Sequence, residues 1–155
     1  MKLKNKKPYS QRTDSEKLKA NWGKALALFN RSDYSAAIIR AGTCAEIAAN
    51  IVIRAELIQK RQLESDFVDN LLRWANGVRG KFEKLILPLS ENTKRHSFFK
   101  KHSKAISKLN EVRNEIAHIG RFASKLEARE LLLLTHLICT EITSDCDVKI
   151  KLRKP

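Results

Sequence analysis

Apolar residues recur every three or four positions through most of this chain, which is the spacing of an α-helix with one buried face. Such stretches span residues 13–31, 33–60, 65–76, 81–87, a long segment that ends at Gly120, and a last segment that begins at 124. The pattern predicts an all-α fold, a four- to five-helix bundle covering residues 13–146. Residues 147–155 alternate briefly between apolar and basic side chains, and we interpret them as a basic tail or a short strand.

Short polar motifs predict where two of these helices begin. Thr13 with Glu16, and Ser124 with Glu127, have the spacing of a capping box. In such a box each side chain satisfies a free backbone N–H group of the first helical turn. The two motifs therefore predict the starts of the first and the last helix.

The second helix, capped by Ser32 or Asp33, is predicted to be central in the bundle. Its stretch from residue 36 to 52 is apolar apart from four positions, Arg40, Thr43, Glu46 and Asn50. Glu46 stands among core residue types, so its charge needs a partner. Two interpretations are open: Glu46 pairs with Arg113 and orients it, or it pairs elsewhere, with Arg40 or another group at the core edge.

Candidate catalytic side chains are concentrated between residues 110 and 120. At about 100° per residue, Arg113 points into the apolar arc of its helix and His118 lies about 140° away. One straight helix cannot bring both to one phosphate, so either the helix distorts near Ala117 or two copies of the chain share a site. A structural interpretation is also open, in which Arg113 is paired and His118 interacts with the helix end that Gly120 marks.

The net charge of the chain indicates which class of ligand it attracts. The 155 residues have an ordinary hydrophobic content of 43% but a formal charge of +14, which attracts polyanions: nucleic acid first, an anionic membrane surface second. Residues 79–108 hold nine basic and two acidic side chains, half of the net charge. Within them, Lys100, Lys101 and Lys104 would lead a polyanion towards the histidine.

Other features carry less chemistry. Residues 1–12 are basic without an acid and are predicted to form a flexible arm. His96 and His102 are interpreted as bystanders on the basic face of the long segment. The cysteines have no Cys-x-x-Cys spacing, which indicates reduced thiols in a cytoplasmic protein, and we expect neither metal nor cofactor. The longest uncharged apolar run, Leu131 to Thr140, is too short to span a bilayer, so no membrane partner is expected.

The motif at the helix end resembles the HEPN superfamily. Arg113, the polar Asn114 directly after it, and His118 match its Arg-x(4–6)-His motif, and residues 32–38 running into 45–47 are similar to its second helix. The resemblance covers roughly residues 14 to 145. In one branch of the family a tyrosine two residues past the histidine is modified by the antitoxin; here that position is Gly120, so that form of control is not implied.

The resemblance implies a HEPN-type bundle and a metal-independent endoribonuclease that acts as a homodimer. Such proteins are often toxins or defence effectors with a cognate antitoxin or inhibitor. His118 would transfer protons, Arg113 would bind phosphate, and Asn114 would orient the histidine. The last helix has a wide apolar stripe from Leu131 to Ile142, so it is either central in the bundle or used both in the core and at a dimer seam. The alternative is a non-catalytic basic helical dimer that binds nucleic acid or a partner protein, and a helical adaptor is a third.

Overall fold

The structure is a computed structural model that describes residues 7–155, and no residue in that range is in a β-strand. Its α-helices are α1 (Asp14–Asn30), α2 (Tyr34–Arg54), α3 (Ser65–Trp74), α4 (Gly77–Lys81), α5 (Leu87–Ser90), α6 (His96–Asn114) and α7 (Lys125–Ile142). Three π turns interrupt them: Ala55–Lys60 continues α2, Phe82–Ile86 joins α4 to α5, and Glu115–Ile119 continues α6. The predicted all-α bundle is confirmed, with six continuous helical runs in the described range rather than four to five.

Helix α2 lies at the centre and packs against α1, α4, α6 and α7. Its buried positions are mostly small, and five of its alanines are fully inaccessible: Ala37, Ala41, Ala45, Ala48 and Ala49. Small side chains let neighbouring helices approach closely. By length and composition the run Tyr34–Lys60 could also span a membrane, but 61% of its apolar window is buried in the bundle, as in the core helix of a soluble protein.

The predicted helix starts are observed, with one difference. Thr13 accepts a hydrogen bond from the Glu16 amide (3.2 Å) and Glu16 accepts one from the Thr13 amide (2.7 Å), so this capping box is complete. Asp33 caps α2. Ser124 accepts from the Glu127 amide (3.2 Å), but the Glu127 carboxylate binds Arg121 instead of returning to the cap.

Both terminal segments contact the bundle where they are described. Of the predicted arm, residues 1–6 lie outside the described residues, while Tyr9 begins a short 3₁₀ turn and accepts a hydrogen bond from Asn21 (3.1 Å). At the other end, Ile150 and Leu152 pack against the core. The C-terminal segment, 147–155, is therefore docked on the bundle, without forming a strand.

The three thiols are unpaired, and two are deeply buried. Burial raises the pKa of Cys44 to about 12 and that of Cys139 well above its usual range, so both stay protonated and inert at neutral pH. Cys146 is half-buried, and burial raises its pKa as well. Among the described residues, no group of three or more His, Cys, Asp or Glu side chains is arranged to hold a metal ion.

Candidate functional site

The end of α6 widens into a π turn at the predicted motif. The Gly120 amide donates to the carbonyl of Glu115, five residues back, and Gly120 has a left-handed φ of 74°. A π turn rotates less per residue than an α-helix, so it reduces the offset of about 140° expected between Arg113 and His118. Of the two routes to a shared site, distortion of the helix near Ala117 is therefore present within one chain.

Arg113 is partly exposed and reaches a polar cavity. Its aliphatic stem packs on Gly42 of α2, where a Cβ atom would stand 3.2 Å from its Cγ. Its Nη1 donates to Oδ1 of Asn114 (3.0 Å), and in the described range it has no carboxylate within ion-pair distance. The cavity has a volume of about 130 Å³ and is lined by Gly42, Glu46, Asn76, Gly77, Val78, Asn110 and Arg113. The guanidinium thus has donors available for an anion.

Asn114 contacts the arginine and not the histidine. Its side-chain oxygen accepts from Arg113, and no hydrogen bond joins it to His118 in the described part of the chain. The role expected for Asn114 was to orient the imidazole. The observed contact orients the guanidinium instead, because Asn114 holds its Nη1 atom, while the other nitrogens have no hydrogen-bond partner among the described residues.

Glu46 lies beside Arg113 but is paired with another residue. Nζ of Lys81 lies 2.8 Å from Oε1 of Glu46, and the Lys81 side chain is only 4% exposed while that of Glu46 is 35% exposed. Of the two interpretations from the sequence, the structure favours a partner elsewhere, at the core edge. Glu46 also lines the cavity of Arg113, so the Lys81–Glu46 pair forms one of its walls.

His118 stands on the π turn and is exposed, with no side-chain hydrogen bond among the described residues. It does not line the Arg113 cavity. An ion-pair cluster fixes the chain just after it: Arg121 binds Glu115 (3.3 Å) and Glu127 (2.8 Å). The Ala123 amide, which donates to Ser35 of α2 (3.0 Å), ties the same loop to the bundle. The imidazole is therefore open to solvent on a restrained turn.

The lysines of α6 form an exposed row on its outer face. Lys100, Lys101, Lys104 and Lys108 are all exposed and have no ion pair within the range 7–155; we call them the lysine row. His102 differs from its expected place on this face. It is 4% exposed, its Nε2 lies 2.8 Å from Oε2 of Glu141, and its ring packs on Phe98. His102 therefore joins α6 to α7.

The structure adds residues that the sequence interpretation missed. Lys81 was counted only as part of a charge run, yet it is the buried partner of Glu46. Asn110 and Asn76 contribute amides to the Arg113 cavity, and Glu46 and Asn76 also line an adjoining open cleft of about 320 Å³. One signal was available in the sequence: Gly42, a glycine inside an apolar helix, marks a close approach by another group.

Comparison of this chain with protein-family models, curated proteins and solved structures found no match.

Proposed function

We propose that this chain is a metal-independent endoribonuclease of the HEPN type, in which RNA supplies the nucleophile through its own 2′-hydroxyl. The observation that carries the proposal is the helix end itself. Arg113, with no carboxylate partner among the described residues, lines a polar cavity. The π turn that follows exposes His118. A phosphate-binding cation followed by an imidazole that can transfer protons near neutral pH is what such a cleavage requires.

The reaction needs two proton transfers and one stabilised charge. His118 removes the proton of the 2′-hydroxyl as its oxygen attacks phosphorus, and a protonated imidazole, supplied by a second copy, gives a proton to the departing 5′-oxygen. A new O2′–P bond forms, the P–O5′ bond breaks, and the products are a 2′,3′-cyclic phosphate and a free 5′-hydroxyl. Arg113 stabilises the extra negative charge of the phosphorane.

The remaining site residues support these two. Asn114 holds the guanidinium through its hydrogen bond to Nη1, and Glu46 with Lys81 shapes the wall of the cavity. The lysine row lies on the same helix, and its nearest member precedes His118 by ten residues, about 15 Å along the helix axis. RNA held by Lys100, Lys101 and Lys104 would enter the site from that side.

A homodimer is part of the proposal because large apolar side chains around His118 are uncovered. Ile119 is 78% exposed, Phe122 92% and Leu126 68%, and Leu133 and Leu137 continue the face along α7. We call these five residues the apolar rim. Leu126, Leu133 and Leu137 share one face of α7 at about 100° per residue, and exposed apolar patches mark interaction sites. A second copy bound to the rim would bring two His118 imidazoles towards one RNA strand. We propose that the dimer acts in the cytoplasm as a toxin or defence effector and that a cognate antitoxin or inhibitor controls it.

The deciding experiment is incubation of purified protein with RNA in EDTA. We expect 2′,3′-cyclic phosphate ends from the native chain and none from Arg113→Ala or His118→Ala. His96→Ala is the matched control, a partly buried histidine on the same helix that should leave cleavage unchanged. DNA and 2′-O-methyl RNA should survive. Cleavage that requires divalent metal, or that persists in His118→Ala, would contradict the proposal.

One observation favours the second candidate, a basic helical dimer that binds RNA without cutting it. No described residue holds the His118 imidazole, whereas a catalytic base is ordinarily oriented by a neighbouring group. In that case His118→Ala would leave binding intact, and neither the native chain nor any variant would produce cyclic phosphate. Binding would still weaken steeply with salt.

A further inference from the structure

The C-terminal segment lies against the bundle with its apolar residues partly buried and its basic residues exposed. Val148, Ile150 and Leu152 are partly buried, and the last two pack against the core. The residues between and after them are exposed cations, Lys149, Lys151, Arg153 and Lys154. Partly buried and exposed positions alternate from Val148 to Arg153, so Lys149, Lys151 and Arg153 face outward, and the exposed Lys154 follows them. We call the four exposed cations the C-terminal ridge.

Two aromatic side chains of the bundle, one from α1 and one from α7, contact the backbone of this segment. Nε1 of Trp22 in α1 donates to the carbonyl of Arg153 (2.7 Å), and Nε2 of His136 in α7 lies 3.1 Å from the carbonyl of Leu152. The two rings also contact each other, with centroids 5.8 Å apart. Trp22 is only 2% exposed. Both anchors bind backbone atoms, so the basic side chains remain free.

The ridge is a line of positive charge without compensation from the bundle. None of its four cations forms an ion pair within residues 7–155. Lys149, Lys151 and Arg153 are each two residues apart, so the charges are spread along the segment and do not form one compact cluster. A row of separated cations suits a chain of phosphates better than it suits one small anion.

The chain just before the C-terminal segment contacts the start of α6, the helix that carries the lysine row. Asp145 precedes the segment, and its carboxylate pairs with Arg95, the residue directly before α6. The two segments that carry these basic residues therefore start close to each other. A strand longer than either surface could follow both.

We propose that the C-terminal ridge is a second binding surface for nucleic acid, which takes the phosphate backbone of a single RNA strand. The apolar residues of the segment point into the bundle, so the segment has no side chain to insert into a lipid surface, and this favours RNA over an anionic membrane. The inference concerns binding alone and stands whether or not the chain cleaves RNA.

The test is binding of a fluorescent 2′-O-methyl RNA, which cannot be cleaved through its 2′ position, at several salt concentrations. The ridge variant carries Lys149→Gln, Lys151→Gln, Arg153→Gln and Lys154→Gln. A plot of log affinity against log salt concentration has a negative slope, and each phosphate contact to a single strand contributes about 0.7 to its magnitude. If all four cations bind phosphates, the slope of the ridge variant is therefore smaller in magnitude than that of the native chain by about 3. The matched control removes the same charge from four scattered exposed positions, Lys24, Arg31, Lys84 and Lys125.

We expect the control variant to lose less than one unit of slope. Equal losses in both variants would show that only net charge acts, and an unchanged slope in the ridge variant would show that the ridge is not used. Vesicles that contain phosphatidylserine provide the competing arm. If the ridge variant loses vesicle binding but keeps RNA binding, the ligand is a membrane surface and the proposal is overturned. Failure of cleavage in EDTA would leave these outcomes unaffected.

Discussion

The stem of Arg113 lies directly on the backbone of Gly42, so close that a methyl group at position 42 would stand 3.2 Å from its Cγ. The central helix thus keeps a glycine at the point where the arginine crosses it. Glycine inside a helix costs about 1 kcal/mol relative to alanine. A glycine stands at position 42 despite this loss of stability. We expect its contact with the stem of Arg113 to position the guanidinium in the cavity.

Gly42→Ala should therefore separate activity from stability. The added methyl group displaces the flexible stem of Arg113, so we expect the proposed RNA cleavage to fall about tenfold, the equivalent of about 1.4 kcal/mol in the barrier. The gain in helix propensity should offset the crowding and keep the melting temperature within a few degrees. Initial cleavage rates and thermal melting measure the two effects.

Gly23→Ala is the matched control for this substitution. Gly23 is inside α1, exposed, and has nothing within 4 Å of its Cβ position. We expect it to stabilise the protein by about 0.5–1 kcal/mol and to leave cleavage unchanged. Cleavage by Gly42→Ala at the native rate would show that the Arg113–Gly42 contact does not position the guanidinium.

The Lys81–Glu46 pair predicts an asymmetry between its two partners. Glu46→Gln leaves the charge of Lys81 in a site only 4% exposed, which should cost about 3 kcal/mol or more, whereas Lys81→Met leaves a carboxylate that water can reach. The double variant should recover part of the loss. Urea unfolding of the three variants measures it, and equal losses from the two single substitutions would contradict the burial that we describe.

Local features of this fold were predictable from the sequence, and distant pairings were not. Thr13 and Glu16 form their capping box because everything that it needs lies within four residues. Ser124 and Glu127 have the same spacing, but Arg121 draws the Glu127 carboxylate away. The stop at Gly120 was predictable because it depends on one residue's left-handed conformation.

The candidate site was only partly predictable for the same reason. Arg113 was recognisable as a charge aimed at a core, and helical geometry predicted either a distortion near Ala117 or a site shared by two copies. The partner of Glu46 was not predictable, because Lys81 lies 35 residues away and reaches it through the packing of α4 on α2. Docking of the C-terminal segment depends on Trp22, 131 residues from Arg153, and no local pattern encodes that contact.

The lysine row should contribute to RNA affinity at no cost to stability. We expect the triple variant Lys100→Gln, Lys101→Gln, Lys104→Gln to lower the salt slope by about 2. Lys100 and Lys104 are like charges one turn apart, so their removal relieves a repulsion and should not lower the melting temperature. A triple variant at Lys24, Arg31 and Lys125 is the control of equal charge. Equal slopes in the two variants would exclude a specific role for the row.

The buried thiols predict a loss of stability in alkali. Burial raises the pKa of Cys44 to about 12, whereas an unfolded thiol titrates near 9. The protonated Cys44 thiol therefore makes its full contribution to the free energy of unfolding below about pH 9. That contribution is lost as the pH rises towards 12, and for this thiol the unfolding equilibrium constant increases about tenfold per pH unit. Urea unfolding between pH 8 and 10 should show a shallower pH dependence for Cys44→Ala, and an identical dependence would contradict this assignment.

Trp22→Phe should loosen the C-terminal segment without unfolding the bundle. The substitution keeps an aromatic ring in the core but removes the N–H group that donates to the carbonyl of Arg153. One hydrogen bond contributes about 1 kcal/mol, so local opening should increase about fivefold. Trypsin cuts after Lys149, Lys151 and Arg153, and cleavage there should accelerate by the same factor, while cleavage within the helices should not change. Trp74→Phe, an exposed tryptophan without a hydrogen bond in the described range, should digest like the native chain. Equal digestion of the native chain and Trp22→Phe would mean that the indole does not hold the segment, and the ordered ridge would lose its main support.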